Sequence, residues 1–341
     1  MPSRRYAFGM PSNRSVRLSD IAAIAGVSLS TASKALNGGD RISAETRARV
    51  REVAERLDFQ PNALARSFAL GRSRTIGILT YRAASTFAGP VLIGAVLQLG
   101  ELQQASLVFD EDLLVPRQVT DSIRALQARR IDGLLVVGDG HERLSPSVTH
   151  HFGAPVTYAF AASDHHEDVV YLPDNEGAGR LATRHLVEGG RTRIAHITGS
   201  RDSIAVRLRE RGMRTELEAA GLTQAGETRH GSWSHDWGAR AMSELLDSGA
   251  EIDAIFCGND HIGLGVLEVC AARGLRVPAD IAVVGVDNWE GIVLDQGIRR
   301  LTTVDLELQR LGRLAAADVL SPERAPGEHL VAPTLVLGPS S

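Results

Sequence analysis

VRLSDIAAIAGVSLSTASKALN, residues 16 to 37, reads as two short helices joined by a tight turn. Ala22 lets two helices cross closely, Gly26 can take the positive φ that a bulkier residue resists, and Ala32 lets the second helix pack on the first. Ser28 stands where the N-cap of that second helix belongs, and the helix is predicted to run to about Asn37. Leu29, Ser30, Ser33 and Lys34 then point outward, three of them able to hydrogen-bond to bases or phosphates. Lys34 is the only lysine in 341 residues.

Working outward, Ser43 can cap a third helix from about Ala44 to Leu57, whose Val50, Val53, Ala54 and Leu57 recur at helical spacing. Gln60-Pro61 ends it, because a residue before proline is biased out of the helical region. Residues 16–60 therefore read as a three-helix DNA-binding headpiece, preceded by a disordered basic tail at 1–15. NALARSFALG, residues 62 to 71, is compatible with a helix too short to stand alone, so residues 61–74 read as a hinge and linker.

Net charge is −4, yet its distribution is uneven. Residues 1–75 hold 13 Lys+Arg against 6 Asp+Glu, a balance of +7, and the remainder holds 24 against 35, a balance of −11. A basic head on an acidic body suits phosphate binding by the head alone. From Thr75 the pattern becomes α/β. Apolar runs at Ile76–Leu79, Ala105–Phe109, Gly133–Val137, Ile194–Ile197, Ala254–Phe256 and Ile281–Val286 alternate with helical stretches, which predicts parallel sheets covered on both faces. Cys257 and Cys270 lack metal-ligand spacing and read as buried thiols. Neither a membrane span nor a signal sequence is visible, so a cytoplasmic protein is expected.

Taken in order, SDIAAIAGVSLSTASKALN, FQPNALARSF, GND (258–260), GLRVPADIAVVGVDN (274–288) and LTTV (301–304) resemble the LacI/GalR family of bacterial transcription repressors, over nearly the whole chain from Val16. The resemblance implies an all-α helix-turn-helix headpiece plus an α/β effector domain, residues 75–341, of two doubly wound parallel-sheet subdomains like those of periplasmic binding proteins. The first would span about 75–173 and 305–328, the second about 174–304 and 329–341. It also implies a homodimer that grips a pseudo-palindromic operator in double-stranded DNA and responds to a small effector, a sugar or glycoside, with no cofactor, no metal and no enzymatic activity. Leu29, Ser30 and Lys34 take the base-reading positions, and Ser19, Ser28, Thr31, Ser33 and Asn37 the phosphate positions. Asn62 and Ala65 match the hinge helix, with Phe68 at the minor-groove wedge position or, alternatively, as a core residue against the effector domain.

Sugar sites need planar donors, carboxylates or amides for hydroxyls and an aromatic face for the ring. Arg207, Asn259, Asp287 and Trp233 fit those needs and the family positions; the alternatives are a surface charge, helix caps and a core tryptophan. Phe87, Asp139 and Phe160 are further lining residues, and Phe160 and Leu306 replace polar contacts common in the family. Such a wall favours a disaccharide, an aryl glycoside or a non-sugar ligand over a small monosaccharide. Gly89–Gly100, GPVLIGAVLQLG, carries no charge and reads as a buried helix, which the resemblance places at the subunit interface. A cytoplasmic solute-binding protein or sensor without operator binding is the competing reading; Walker A, G-x-S-x-G and dinucleotide motifs that would favour an enzyme are missing.

Overall fold

A computed structural model describes residues 16–37, 42–59, 72–80, 82–83, 85–111, 116–290 and 299–341. The chain divides into two units, Met1–Ser73 and Arg74–Ser341.

The first unit is built on three helices, α1 (Leu18–Ala25), α2 (Leu29–Asn37) and α3 (Ala44–Arg56). Asp20 accepts the Arg17 amide at 2.8 Å at the start of α1, and Gly26 ends that helix at φ 67°. Ser28 Oγ accepts the Thr31 amide at 3.1 Å, and Ser43 Oγ accepts the Thr46 amide at 3.2 Å, so both predicted serine caps form. Ile21, Ala22, Ala25, Ala32, Ala35, Val50, Val53 and Ala54 form the core. Alanines dominate it, which brings the helix axes close without large side chains.

The second unit contains two sheets with six strands each among the described residues. In the first lobe, β1 (Thr75–Thr80), β2 (Ala105–Asp110), β3 (Gly133–Ser145), β4 (Val156–Ser163), β5 (Val169–Pro173) and β11 (Gly327–Val331) lie in the order β11-β5-β4-β3-β1-β2, all parallel. In the second, β6 (Ile194–Thr198), β7 (Arg229–His230), β8 (Ala254–Cys257), β9 (Ala282–Val286), β10 (Thr302–Asp305) and β12 (Thr334–Val336) lie in the order β12-β10-β9-β8-β6-β7, with only β12 antiparallel. β11 keeps the chain in the first lobe to Val331, past the expected exit near residue 328. Each foreseen strand is present; β7, β11 and β12 lie at sheet edges, where short or polar runs suffice.

Helices α4 (Ala88–Glu101), α5 (Pro116–Ala128) and α10 (Leu308–Asp318) cover the first sheet, and α6 (Asn175–Glu188), α7 (Ile204–Ala219), α8 (His235–Asp247) and α9 (Asp260–Ala272) the second. In the α6/α7 pair, Gly179 faces the Arg209 backbone and Gly212 the Glu176 backbone, so closely that a Cβ at either would collide. That approach sets α7, and with it Arg209, against the start of α6. The sequence reads α4 as an apolar helix buried at a subunit interface. Within this chain one face is covered: Ala88, Val91, Ala95 and Leu99 are buried, whereas Ile93, Val96 and Leu97 are 55%, 38% and 45% exposed. Cys257 and Cys270 are buried in the second-lobe core. No helix among the described residues is long and apolar enough to cross a membrane.

Candidate functional site

On α2, Ala32 and Ala35 are fully buried, which turns Leu29, Ser30 and Lys34 to the outer face, all exposed. Leu29 is 55% exposed, so its side chain is free to make an apolar contact. Ser28 and Thr31 share a 2.8 Å hydroxyl contact at the start of the helix, Ser33 is half-buried, and Ser19 is exposed in the first turn of α1. Asn37 closes α2; its side chain, and the hinge residues Pro61, Asn62, Ala65 and Phe68, lie outside the described residues.

In the second unit, a cavity of about 340 Å³ opens between the two lobes. It lies at the C-terminal ends of parallel strands, where open α/β sheets bind ligands. Of the expected residues, Phe87, Asp139, Phe160, Trp233, Asn259 and Asp287 all line it.

Arg207 does not, and this corrects the sequence reading. Its guanidinium turns back to the Asp202 carbonyl at 2.7 Å, and the residue is exposed. Ser203 caps α7 and so fixes its phase; Val206, Arg209 and Met213, at i, i+3 and i+7, form the buried stripe, which places Arg207 on the opposite face. The cavity arginine is Arg209. Its Nε donates to Asn175 Oδ1 at 3.0 Å, one terminal nitrogen donates to the Gly258 carbonyl, and the other lies 3.7 Å from Asp287 Oδ1. Burial lowers the Arg209 pKa, opposed by Asp287, Glu142 and Asp260. Burial likewise raises Asp287, to about 6, against the pull of Arg209. A donor fork and a carboxylate side by side form a pole suited to vicinal hydroxyls. Asn259 Oδ1 is spent on capping α9, accepting the Ile262 amide at 2.9 Å, which leaves its amide nitrogen for the cavity.

Rings enclose the rest. Trp233 packs over Gly199, and Arg209 Cζ stands 5.7 Å from its ring centroid. Phe160 sits where the β3–β4 register shifts, with φ 53°, its ring lying against Gly140. A phenylalanine in the left-handed region costs energy, and here that conformation turns the ring into the cavity. Leu306 completes the apolar side.

His261, Trp289, Asn175 and Glu142 also line the cavity, although the sequence reading did not single them out. His261 and Trp289 follow closely on the quoted GND and VGVDN, and their rings meet at 4.5 Å and 51°. Beneath them the Asp260 carboxyl is pushed up to about 8, by burial first, with hydrogen bonds from Thr303 and Trp289 opposing and Asp287 and Glu290 adding to the rise.

Residues 17–62 match the model of the bacterial regulatory proteins, lacI family, and residues 183–341 that of a periplasmic binding protein-like domain. The chain is 34% identical over 336 residues to the HTH-type transcriptional regulator CelR of Thermobifida fusca, across 96% of this chain and 97% of that protein. It is similar to the lac repressor dimer bound to operator and the anti-inducer ONPF, with a TM-score of 0.70 and 25% identity over 96% of this chain and 99% of the other. It is also similar to the transcriptional regulator CelR in its cellobiose complex, with a TM-score of 0.58 and 27% identity over 96% and 100%. A relative of that identity along nearly the whole length, together with the family match over residues 17–62, places this chain in the lacI family of bacterial regulatory proteins.

Proposed function

We propose that this chain is a transcriptional repressor acting in the cytoplasm, which binds a pseudo-palindromic operator as a homodimer and whose operator affinity is set by an uncharged carbohydrate in the inter-lobe cavity. The observation that carries the effector class is the cavity's composition: one polar pole at Arg209, Asp287 and Asn259, with Trp233, Phe160, Phe87 and Trp289 around it. Hydroxyls meet the pole and the C–H faces of the rings meet the aromatics.

The lining also carries Asp139, Glu142 and Asp287 against the single Arg209, which disfavours phosphorylated or otherwise anionic ligands. So much apolar wall suits a ligand of two rings, a disaccharide or aryl glycoside, better than a lone hexose, and the cellobiose complex of a relative supports that class. On the DNA side, Leu29, Ser30 and Lys34 read bases, and Ser19, Ser28, Thr31, Ser33 and Asn37 hold phosphates; Asn62, Ala65 and Phe68 form the hinge, with Phe68 prising the minor groove. Ile93, Val96 and Leu97 of α4, with Leu314 of α10, form the exposed apolar face that a second copy covers.

Selection of operator sequences from a random DNA pool with the full chain, followed by anisotropy titration with cellobiose, 4-nitrophenyl glucoside, glucose and glucose 6-phosphate, tests this reading. Enrichment of a two-fold symmetric sequence whose affinity shifts with the two-ring compounds supports it. No enrichment sinks the operator reading, and a response to glucose 6-phosphate alone sinks the effector class.

A further inference from the structure

Asp287 and Asn288, just past β9, have φ values of 104° and 52°. Two consecutive non-glycine residues in that region need outside support. The Asn288 amide donates to Thr303 Oγ1 at 3.2 Å, and the Thr303 hydroxyl donates in turn to Asp260 Oδ1 at 2.6 Å. The other oxygen, Asp260 Oδ2, accepts the Trp289 amide at 2.7 Å. Two successive amides thus converge on one buried carboxyl group, one directly and one through a hydroxyl.

Asp260 is 1% exposed and does not line the cavity. The residues it supports do: the Asp287 carboxylate and the Trp289 ring. Farther along, the buried Glu290 accepts the Arg300 amide at 2.7 Å and the Leu301 amide at 3.3 Å, so the segment 287–290 is tied at both ends.

We propose that Asp260 is a positioning residue for effector recognition, fixing the strained turn that presents Asp287 and Trp289 and thereby setting the ring-stacking side of specificity. The proposal rests on the cavity being the effector site. Asp260 contacts no ligand itself. Its carboxylate decides where the indole of Trp289 stands, and Trp289 with His261 decides what apolar face fits there.

The test uses the full chain labelled with fluorotryptophan, whose three indoles, Trp233, Trp237 and Trp289, are assigned by Trp→Phe substitution. In Asp260→Ala the Trp289 fluorine resonance is expected to shift and broaden. The Trp237 resonance, whose Nε1 donates to the Thr198 carbonyl at 2.9 Å, should stay in place. Asp260→Asn should restore the Trp289 signal, because the amide can accept from the Trp289 N–H and donate to Thr303. Cellobiose affinity by calorimetry should fall about tenfold in Asp260→Ala and much less in Asp260→Asn.

An unmoved Trp289 resonance in Asp260→Ala overturns the proposal. So does equal movement of Trp237, which would give Asp260 a role in the fold alone. If Asp260→Ala fails to fold, Thr303→Val removes only the relay and must still move Trp289, or the proposal fails. Cellobiose that does not bind the unaltered protein counts against the effector reading, while the fluorine spectra still decide the control of Trp289.

Discussion

The carboxylate of Glu142, on the β3 extension of the first lobe, accepts the hydroxyl of Ser203, which caps α7 in the second. It also accepts the Ile204 amide at 3.2 Å and the Ala205 amide at 3.3 Å. A negative charge at a helix N-terminus is favourable, and this one is supplied from across the cavity. Because α7 also carries Arg209, this one contact ties the first lobe to the helix that places the cavity arginine.

Glu142→Gln removes that charge but keeps an acceptor, and Glu142→Ala removes both. Effector dissociation, followed by stopped-flow tryptophan fluorescence, should accelerate several-fold in the first and about tenfold in the second. An unchanged rate in both variants would remove Glu142 from the closing contact.

Arg209→Ala leaves Asp287 buried without its cation and removes the donor fork from the cavity's polar pole. Effector response should vanish while operator affinity persists. Arg207→Ala should change neither by more than about twofold, since its contact is an exposed one to the Asp202 carbonyl. Reversal of the two outcomes in anisotropy titrations would restore Arg207 to the site.

The Asp260 carboxyl, raised from 3.8 to about 8 in the folded chain, binds a proton there that the unfolded chain has already lost over that interval. Its contribution to stability is therefore fully present below about pH 4 and lost as pH rises to about 8. Asp260→Asn has no such titration. Urea melts of both proteins from pH 5 to 9 should show the unaltered protein losing stability relative to the variant as pH rises, and parallel curves would contradict this.

Lys34→Ala should weaken operator binding chiefly at one base position per half-site, by about 1–3 kcal/mol. Competition with operators changed one base pair at a time measures it. Uniform loss across all sequences would reduce Lys34 to a phosphate contact.

Leu97→Asp places a charge on the open face of α4, beside Ile93 and Val96. If a second copy covers that face, sedimentation should find monomers and operator affinity should fall. A dimer that persists would move the interface elsewhere.

Much of this was legible in the residues themselves. Gly26, Ser28 and Ser43 announce the headpiece because turns and caps are local chemistry, needing no knowledge of distant contacts. Apolar runs such as Ile281–Val286 announce buried parallel strands for a similar reason. Arg207 was mistaken for Arg209 because RLRER offers three arginines at alternate positions, and only the packing of α7 on α6 decides which turns inward. Trp289, His261 and Glu142 were missed because their places depend on long-range contacts: a hydrogen bond from Trp289 to Asp260, and one from Ser203 to Glu142. The exposed face of α4 shows the limit of hydropathy, which marks a helix as apolar without saying which of its faces this chain covers.

The division of chemistry between the lobes has a thermal consequence. Arg209, Asn259 and Asp287 belong to the second lobe, whereas Phe87 and Phe160 belong to the first. A ligand filling the cavity dries the apolar surface that these phenylalanines supply. Drying carries a negative heat-capacity change, so the enthalpy of effector binding should become steadily more exothermic on warming. The repressor would then read temperature as well as concentration, through the same two phenylalanines.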